Sequence, residues 1–177
     1  MMAVPLRQMP YETLGDLFLD FPTNGPVENY RRDLDLDIAV ATVSYTVNGV
    51  HFKREMFASP VDQVIVIRLT ADHPGRISFM AQMETPQKAT VDVEVNNHSS
   101  KPGTTNDVTL VMSGANGDMH GIKGALKFES RVRILTAGGN IPVARFASGP
   151  PIVGVSNADS VTLLIAAATS YKNYHDV

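Results

Sequence analysis

Three aspartates at alternate positions, Asp33, Asp35 and Asp37, are the first residues whose type and spacing could do chemistry. Oxygen ligands at the first, third and fifth positions open a calcium-binding EF-hand loop. That loop also needs glycine at its sixth position for the sharp turn and a bidentate glutamate at its twelfth, where this chain has Ile38 and Ser44. Strand periodicity explains more residues. Side chains alternate across an extended strand, so Leu34, Leu36 and Ile38 fall opposite the three acids, and the aspartates become the solvated face of a sheet. No metal site is expected.

Other chemistries leave few candidates. The chain has no cysteine, which excludes thiolate catalysis, disulfides and thiolate metal sites. No G-x-S-x-G elbow is present for a serine nucleophile. The glycines at 114, 117, 121 and 124 lack the following Lys-Ser/Thr of a phosphate loop. His51, His73, His98, His120 and His175 are scattered without a metal-type partner two or four residues away. His51 belongs to the polar face of a predicted hairpin, and His73 and His98 to turns. Asp118 and His120 share the glycine-rich loop GANGDMHGIKG (114–124) and are the candidates for contact with a substrate, because function concentrates on loops. Paired carboxylates for glycoside hydrolysis stand about 5 to 10 Å apart, a separation that neighbours such as Asp33 and Asp35 would meet trivially. Neither a catalytic residue nor a cofactor is expected. Tyr11, Tyr30, Tyr171 and Tyr174 lie near element ends and could meet a ligand or a neighbouring domain, and Asn97-His98-Ser99 fits a glycosylation sequon.

The elements that would position these residues are strands. Asn48-Gly49 is the preferred pair for a two-residue type I′ turn, both residues needing positive φ. Pairing across it sets Val47 against Val50, Tyr45 against Phe52, Val43 against Arg54 and Ala41 against Met56 on one face. Thr46 with His51, Ser44 with Lys53 and Thr42 with Glu55 occupy the other. A slip of one residue would invert both faces. GDLFLDF (15–21) reads as a short strand. DQVIVIRLTA (62–71) is apolar on both sides and should be central and buried on both faces. RISFMAQM (76–83), ATVDVEV (89–95) and DVTLVMSG (107–114) continue the pattern. ALKFESRVRIL (125–135) places Leu126, Phe128, Ser130, Val132 and Ile134 opposite Lys127, Glu129, Arg131 and Arg133. IPVARF and PPIVGV suggest short extended pieces, and NADSVTLLIAAATS (157–170) suits a buried strand or a helix. About ten strand signals with Gly and Pro between them argue an all-β antiparallel β-sandwich.

At 177 residues the chain suits one sizeable domain, residues 1–177, that would bury about 70% of its unfolded surface. A formal charge of -3 provides no basic stripe for phosphates, so nucleic acid is not expected as a partner. The longest apolar run, VTLLIAAA (161–168), is far below the roughly 18 residues of a membrane span. The N-terminus MMAVPLRQMPYETLG lacks a signal peptide's charged leader and apolar core. A soluble chain is expected, with no membrane partner and no compartment fixed by its own sequence.

Taken in order, QMPYETLGDLFLDF, NYRRDLDLDIAVATVSYTVNGVHFKREMFAS, DQVIVIRLTADHPGRISF, LKFESRVRILTAGG and NADSVTLLIAAATSYKNYHDV resemble the N-terminal β-sandwich of glycoside hydrolase family 95, the α-L-fucosidases and related α-L-galactosidases. Pro60-Val61 departs from the family's usual His-Pro and should alter that turn slightly. The resemblance implies a sandwich of the supersandwich type. It also implies a larger bacterial-type parent, periplasmic or secreted, in which a helical linker and an (α/α)6 barrel follow. Family members invert the anomeric centre with residues of that barrel, so none carries over to this chain. The family's earliest strands would precede QMPY and the remainder would follow YHDV, leaving a fragment cut at both ends. The expected function is an accessory domain packing against the catalytic barrel, inactive by itself. The rival reading is a free-standing carbohydrate-binding or assembly module. A fucosylated glycan, and a second copy joined through exposed edges, complete the expected partners.

Overall fold

The computed structural model describes residues 13–22, 25–96, 104–118 and 121–173. Twelve strands run through them: β1 (Asp16–Asp20), β2 (Val27–Asp35), β3 (Val40–Val47), β4 (Val50–Ser59), β5 (Val64–Ala71), β6 (Ile77–Glu84), β7 (Lys88–Val95), β8 (Asp107–Ala115), β9 (Lys127–Ala137), β10 (Val143–Ala144), β11 (Ile152–Ala158) and β12 (Ser160–Thr169). A four-stranded antiparallel sheet, ordered β1-β6-β11-β10, lies over an eight-stranded one, ordered β2-β3-β4-β5-β12-β9-β8-β7. This is the all-β antiparallel sandwich that the alternation predicted.

Alternation decides which side chains meet between the sheets. Along β9 burial switches at every residue from Lys127 to Ile134, with Phe128, Ser130, Val132 and Ile134 inward. Register carries that face to Val108, Leu110 and Met112 on β8 and to Val161 and Leu163 on β12. The small sheet answers with Ile77, Phe79, Ala81 and Met83 of β6 and Val153 and Val155 of β11. Each fully buried Val, Leu, Ile, Phe or Met side chain contributes about 1.5–3 kcal/mol. β12 is a strand throughout and the helical alternative is excluded.

The Asn48-Gly49 hairpin forms in the expected register, from Val47↔Val50 to Ala41↔Met56. Asn48 and Gly49 take φ of 51° and 77°, as a type I′ turn requires. Two expectations need correction. The alternation from Leu34 to Ile38 does not continue along one strand: β2 ends at Asp35 and the chain turns back into β3, with Ala39 left-handed at φ 53°. The Asp35 carboxylate builds that turn by accepting hydrogen bonds from the backbone N–H groups of Asp37 (2.9 Å) and Ile38 (3.3 Å). β5 is central in the sheet but buried on one face only. Leu69 is its single buried residue; Ile65 on that same inward face is 48% exposed, and Val64 and Val66 on the other face are only partly covered.

The segment joining β1 to β2 ties the hairpin to the rest of the core through one ring. Phe21 stands between the sheets, its centroid 5.1 Å from that of Phe79 on β6 and 3.9 Å from the guanidinium carbon of Arg54 on β4.

Candidate functional site

The hairpin's inward face carries Tyr45, Phe52 and Val43, and among these apolar residues sits Arg54. The Tyr45 and Phe52 rings stack at 5.3 Å with 18° between their planes, as cross-strand aromatic pairs do. The Arg54 guanidinium lies between two rings, 3.9 Å from the centroid of Phe21 and 5.2 Å from that of Tyr45. Its Nη2 donates to the Tyr45 hydroxyl at 2.9 Å. A delocalised cation suits this position because aromatic faces attract it and it is weakly hydrated.

Two cavities open beside this stack and share Phe21, Tyr45 and Arg54 in their walls. The first, about 280 Å³, runs from Phe21, Tyr45 and Arg54 past Val50 and Leu69 to Arg76, Ser78 and Asn157. The second, about 420 Å³, lies towards the sheet edge and is lined by Val27, Tyr30, Arg32, Val43 and Arg54 among others. Strand chemistry places each contributor. Arg76 immediately precedes β6 and Ser78 is its second residue, Asn157 comes from an irregular, left-handed position in β11 (φ 52°), and Tyr30 from beside the bulge in β2. None of the described lining residues in either cavity is acidic. Tyr30 was legible as a possible contact. Arg54 was not, although the predicted register placed a lone arginine on the apolar face, and that is the signal that could have found it.

The residues singled out by spacing are kept apart or used structurally. Asp33 takes a bidentate pair from Arg31 at 2.6 and 2.8 Å, and that hydrogen bond holds its carboxyl below the usual carboxylate range. Asp35 serves the β2–β3 turn. Asp118 accepts the Gly124 N–H at 2.9 Å, so its carboxylate closes its own loop. His120, Asp118's companion in that loop, lies outside the described residues, as do His98, His175, Tyr11, Tyr174 and the sequon at Asn97. His51 and His73 are exposed. Both meet Asp72, which accepts the His51 backbone N–H at 3.0 Å and lies 2.7 Å from His73 Nδ1. The bond to His73 lowers the Asp72 pKa from 3.8. Tyr171 is exposed. Among the described residues no group of three or more acids and histidines could hold a metal, and no helix is long and apolar enough to cross a membrane.

The outer face of the large sheet handles its arginines differently. Arg133 grips Asp107 with Nε at 3.0 Å and Nη2 at 2.6 Å, a bidentate pair whose carboxylate is buried. That hydrogen bond raises the Arg133 pKa above its ordinary value. Arg131 meets Glu129 at 2.7 Å and Glu94 at 3.0 Å. These are structural pairs with full complements of charge.

The sandwich has relatives. A region of α-L-fucosidase 2 from Arabidopsis thaliana is 40% identical over 114 residues, which cover 61% of this chain and 13% of that protein. Probable α-fucosidase A from Aspergillus niger is 36% identical over 62 residues, covering 35% of this chain and 8% of that protein. The chain thus spans a small part of the curated relatives it matches. The family described as glycosyl hydrolase family 65, N-terminal domain, matches residues 1–174, nearly the whole chain. This agrees with the resemblance to an N-terminal hydrolase sandwich, and the chain belongs to that family of glycoside hydrolase N-terminal domains.

Proposed function

We propose that residues 1–177 form one accessory N-terminal domain of an α-L-fucosidase-like glycoside hydrolase, packing against a catalytic (α/α)6 barrel and hydrolysing nothing by themselves. The family match over residues 1–174 carries this reading, together with relatives named as fucosidases that are several times longer. The chemistry of the described residues is consistent with it. Asp33 and Asp107 neutralise arginines, Asp35 and Asp118 close turns, and the two cavities at the hairpin hold no carboxylate to protonate a leaving group. Leu34, Leu36, Ile38 and Ile65 expose apolar surface at the end of the large sheet that the small sheet leaves uncovered. Such a patch suits a second domain.

The test is release of nitrophenol from p-nitrophenyl α-L-fucoside. The 177-residue chain should show none. The parent hydrolase carrying Leu34→Asp with Ile38→Asp should lose stability relative to the unmodified parent. Clear turnover by the chain alone, or a parent indifferent to both substitutions, would reject the proposal.

A second copy is the other occupant favoured by an observation. β2 is an edge strand, all nine of its residues are exposed, and Val27, Tyr30 and Leu34 are among them. An open apolar edge invites strand addition. Light scattering on the chain should show dimers that Leu34→Lys reduces; a monodisperse monomer at high concentration removes this reading.

A further inference from the structure

The two cavities beside Phe21 share a property that packing does not explain. Three arginines line them: Arg54 in both, Arg76 in the first and Arg32 in the second. Arg54 is half-buried and directs one donor to an uncharged hydroxyl. A guanidinium has five donors and stays charged at every accessible pH. Its other four find no partner among the described residues. Arg32 and Arg76 make no hydrogen bond or ion pair with a described residue either. This occurs in a chain with 18 acidic and 15 basic residues, where Arg31, Arg131 and Arg133 all meet carboxylates within 3.0 Å. The two rings offset part of the cost of desolvating Arg54, and an anion would offset the rest.

The remaining lining narrows what that anion can be. Tyr45, Ser78, Asn48 and Asn157 bring polar groups to the first cavity, and Val47, Val50, Leu69 and Ile77 give it an apolar wall. A volume of about 280 Å³ falls just below the roughly 300–1,000 Å³ usual for drug-sized ligands and suits a smaller molecule. A pyranose ring fits that description, having hydroxyls around its rim and C–H groups on its faces. We infer that the cleft beside Phe21 is a binding site for an acidic monosaccharide, whose anionic group is held by Arg54 with Arg76 beside it. The planar fork of Arg54, oriented by Phe21 and Tyr45, is prepared for the parallel pair of bonds that a carboxylate or phosphate accepts. Because the site lies within this domain, it stands or falls separately from the accessory role.

The experiment is titration calorimetry on the 177-residue chain with galacturonate, glucose 6-phosphate, glucose and acetate. One or both acidic sugars should bind, and which of them does identifies the anion as carboxylate or phosphate. Glucose and acetate should bind at least tenfold more weakly. Arg54→Met should reduce affinity on the order of tenfold or more, the loss expected for charge-assisted hydrogen bonds worth roughly 1.5–3 kcal/mol. Arg76→Ala should reduce it severalfold. Arg76 is exposed, so that variant keeps the test decisive if Arg54→Met fails to fold. Absence of binding by either acidic sugar, affinity for glucose or acetate equal to theirs, or binding that both folded variants leave unchanged would overturn the inference.

Discussion

The two ends of the eight-stranded sheet obey the same alternation and meet opposite fates. At the β8–β9–β12 end β9 buries every second residue from Phe128 to Thr136, and Leu110, Val132, Ile134 and Leu163 are completely buried. At the β2–β3 end β2 buries nothing, and no residue of β3 is more than partly covered. The patterns in the sequence are comparable: Leu34, Leu36 and Ile38 alternate with acids much as Val132 and Ile134 alternate with arginines. The difference lies in the four strands of the small sheet, which cover one end and, among the described residues, leave the other mainly to Phe21. A strand's apolar face states only that something should cover it. Whether that cover lies in the same domain is decided elsewhere in the chain.

Cavity formation should separate the two ends most. Leu110→Ala is expected to cost about 3–4 kcal/mol in urea unfolding, since the site is fully enclosed. Leu34→Ala, at a position 64% exposed, should stay within about 0.5 kcal/mol. Similar costs for both would mean the hairpin end is buried in solution, by a second copy for instance. Glycine replacement sharpens the same contrast. Gly139 and Gly49 are both left-handed, but a Cβ on Gly139 would meet the backbone oxygen of Ser156 at 2.3 Å, whereas one on Gly49 meets nothing within 4 Å. Gly139→Ala should therefore cost more than about 2 kcal/mol, and Gly49→Ala about 1, the conformational strain alone. Equal losses would show that the hairpin tip is crowded.

Ion pairs extend the contrast to charge. Arg133→Met takes the paired cation from a carboxylate that is 3% exposed, and because Arg133 itself is half in water the expected loss is about 2 kcal/mol. Arg31→Met breaks the exposed pair with Asp33 and should leave the unfolding midpoint where it is. Indistinguishable unfolding midpoints for the two variants would break the argument. The smallest effect concerns acid. Asp72 has a folded pKa below 3.8, through His73 first and the His51 backbone second, so its contribution is fully present above 3.8 and is lost as pH falls through the folded value. In a carboxyl NMR titration His73→Ala should move the Asp72 midpoint upward; an unmoved midpoint would assign the shift elsewhere.

What the sequence disclosed follows the same division. The Asn48-Gly49 turn and the register of β3 on β4 were legible because the turn chemistry and both faces agree on one pairing. The turn at Leu36 to Ala39 was not, since apolar residues continue the alternation straight through it and Ala39 is no usual left-handed residue. Asp35 was the available clue, an aspartate able to cap a turn two residues on. The double burial expected of β5 failed because no described residue covers Ile65, and Val66 on the opposite face is covered only in part. At the cleft, the place of Tyr30 near an element end is readable from the sequence. Arg54 passed as one partner in a register, because a single sequence does not show that Phe21, more than thirty positions earlier, closes over it.

The place of β12 in the large sheet has a consequence for synthesis. β2 through β5 pair in chain order, and so do β7 through β9, but the two groups are joined only by β12, which bonds to β5 on one side and β9 on the other. Until residues 160–169 leave the ribosome, both half-sheets carry an open edge of Val, Ile and Leu, the kind of surface on which nascent chains aggregate or recruit chaperones. Closure must then span nearly a hundred residues back to β5, a slow step by the usual dependence on sequence separation. A translational pause just after β12 would thus decide more about the yield of this sandwich than one anywhere earlier, a prospect that ribosome-stalled chains ending on either side of that strand would settle by their resistance to protease.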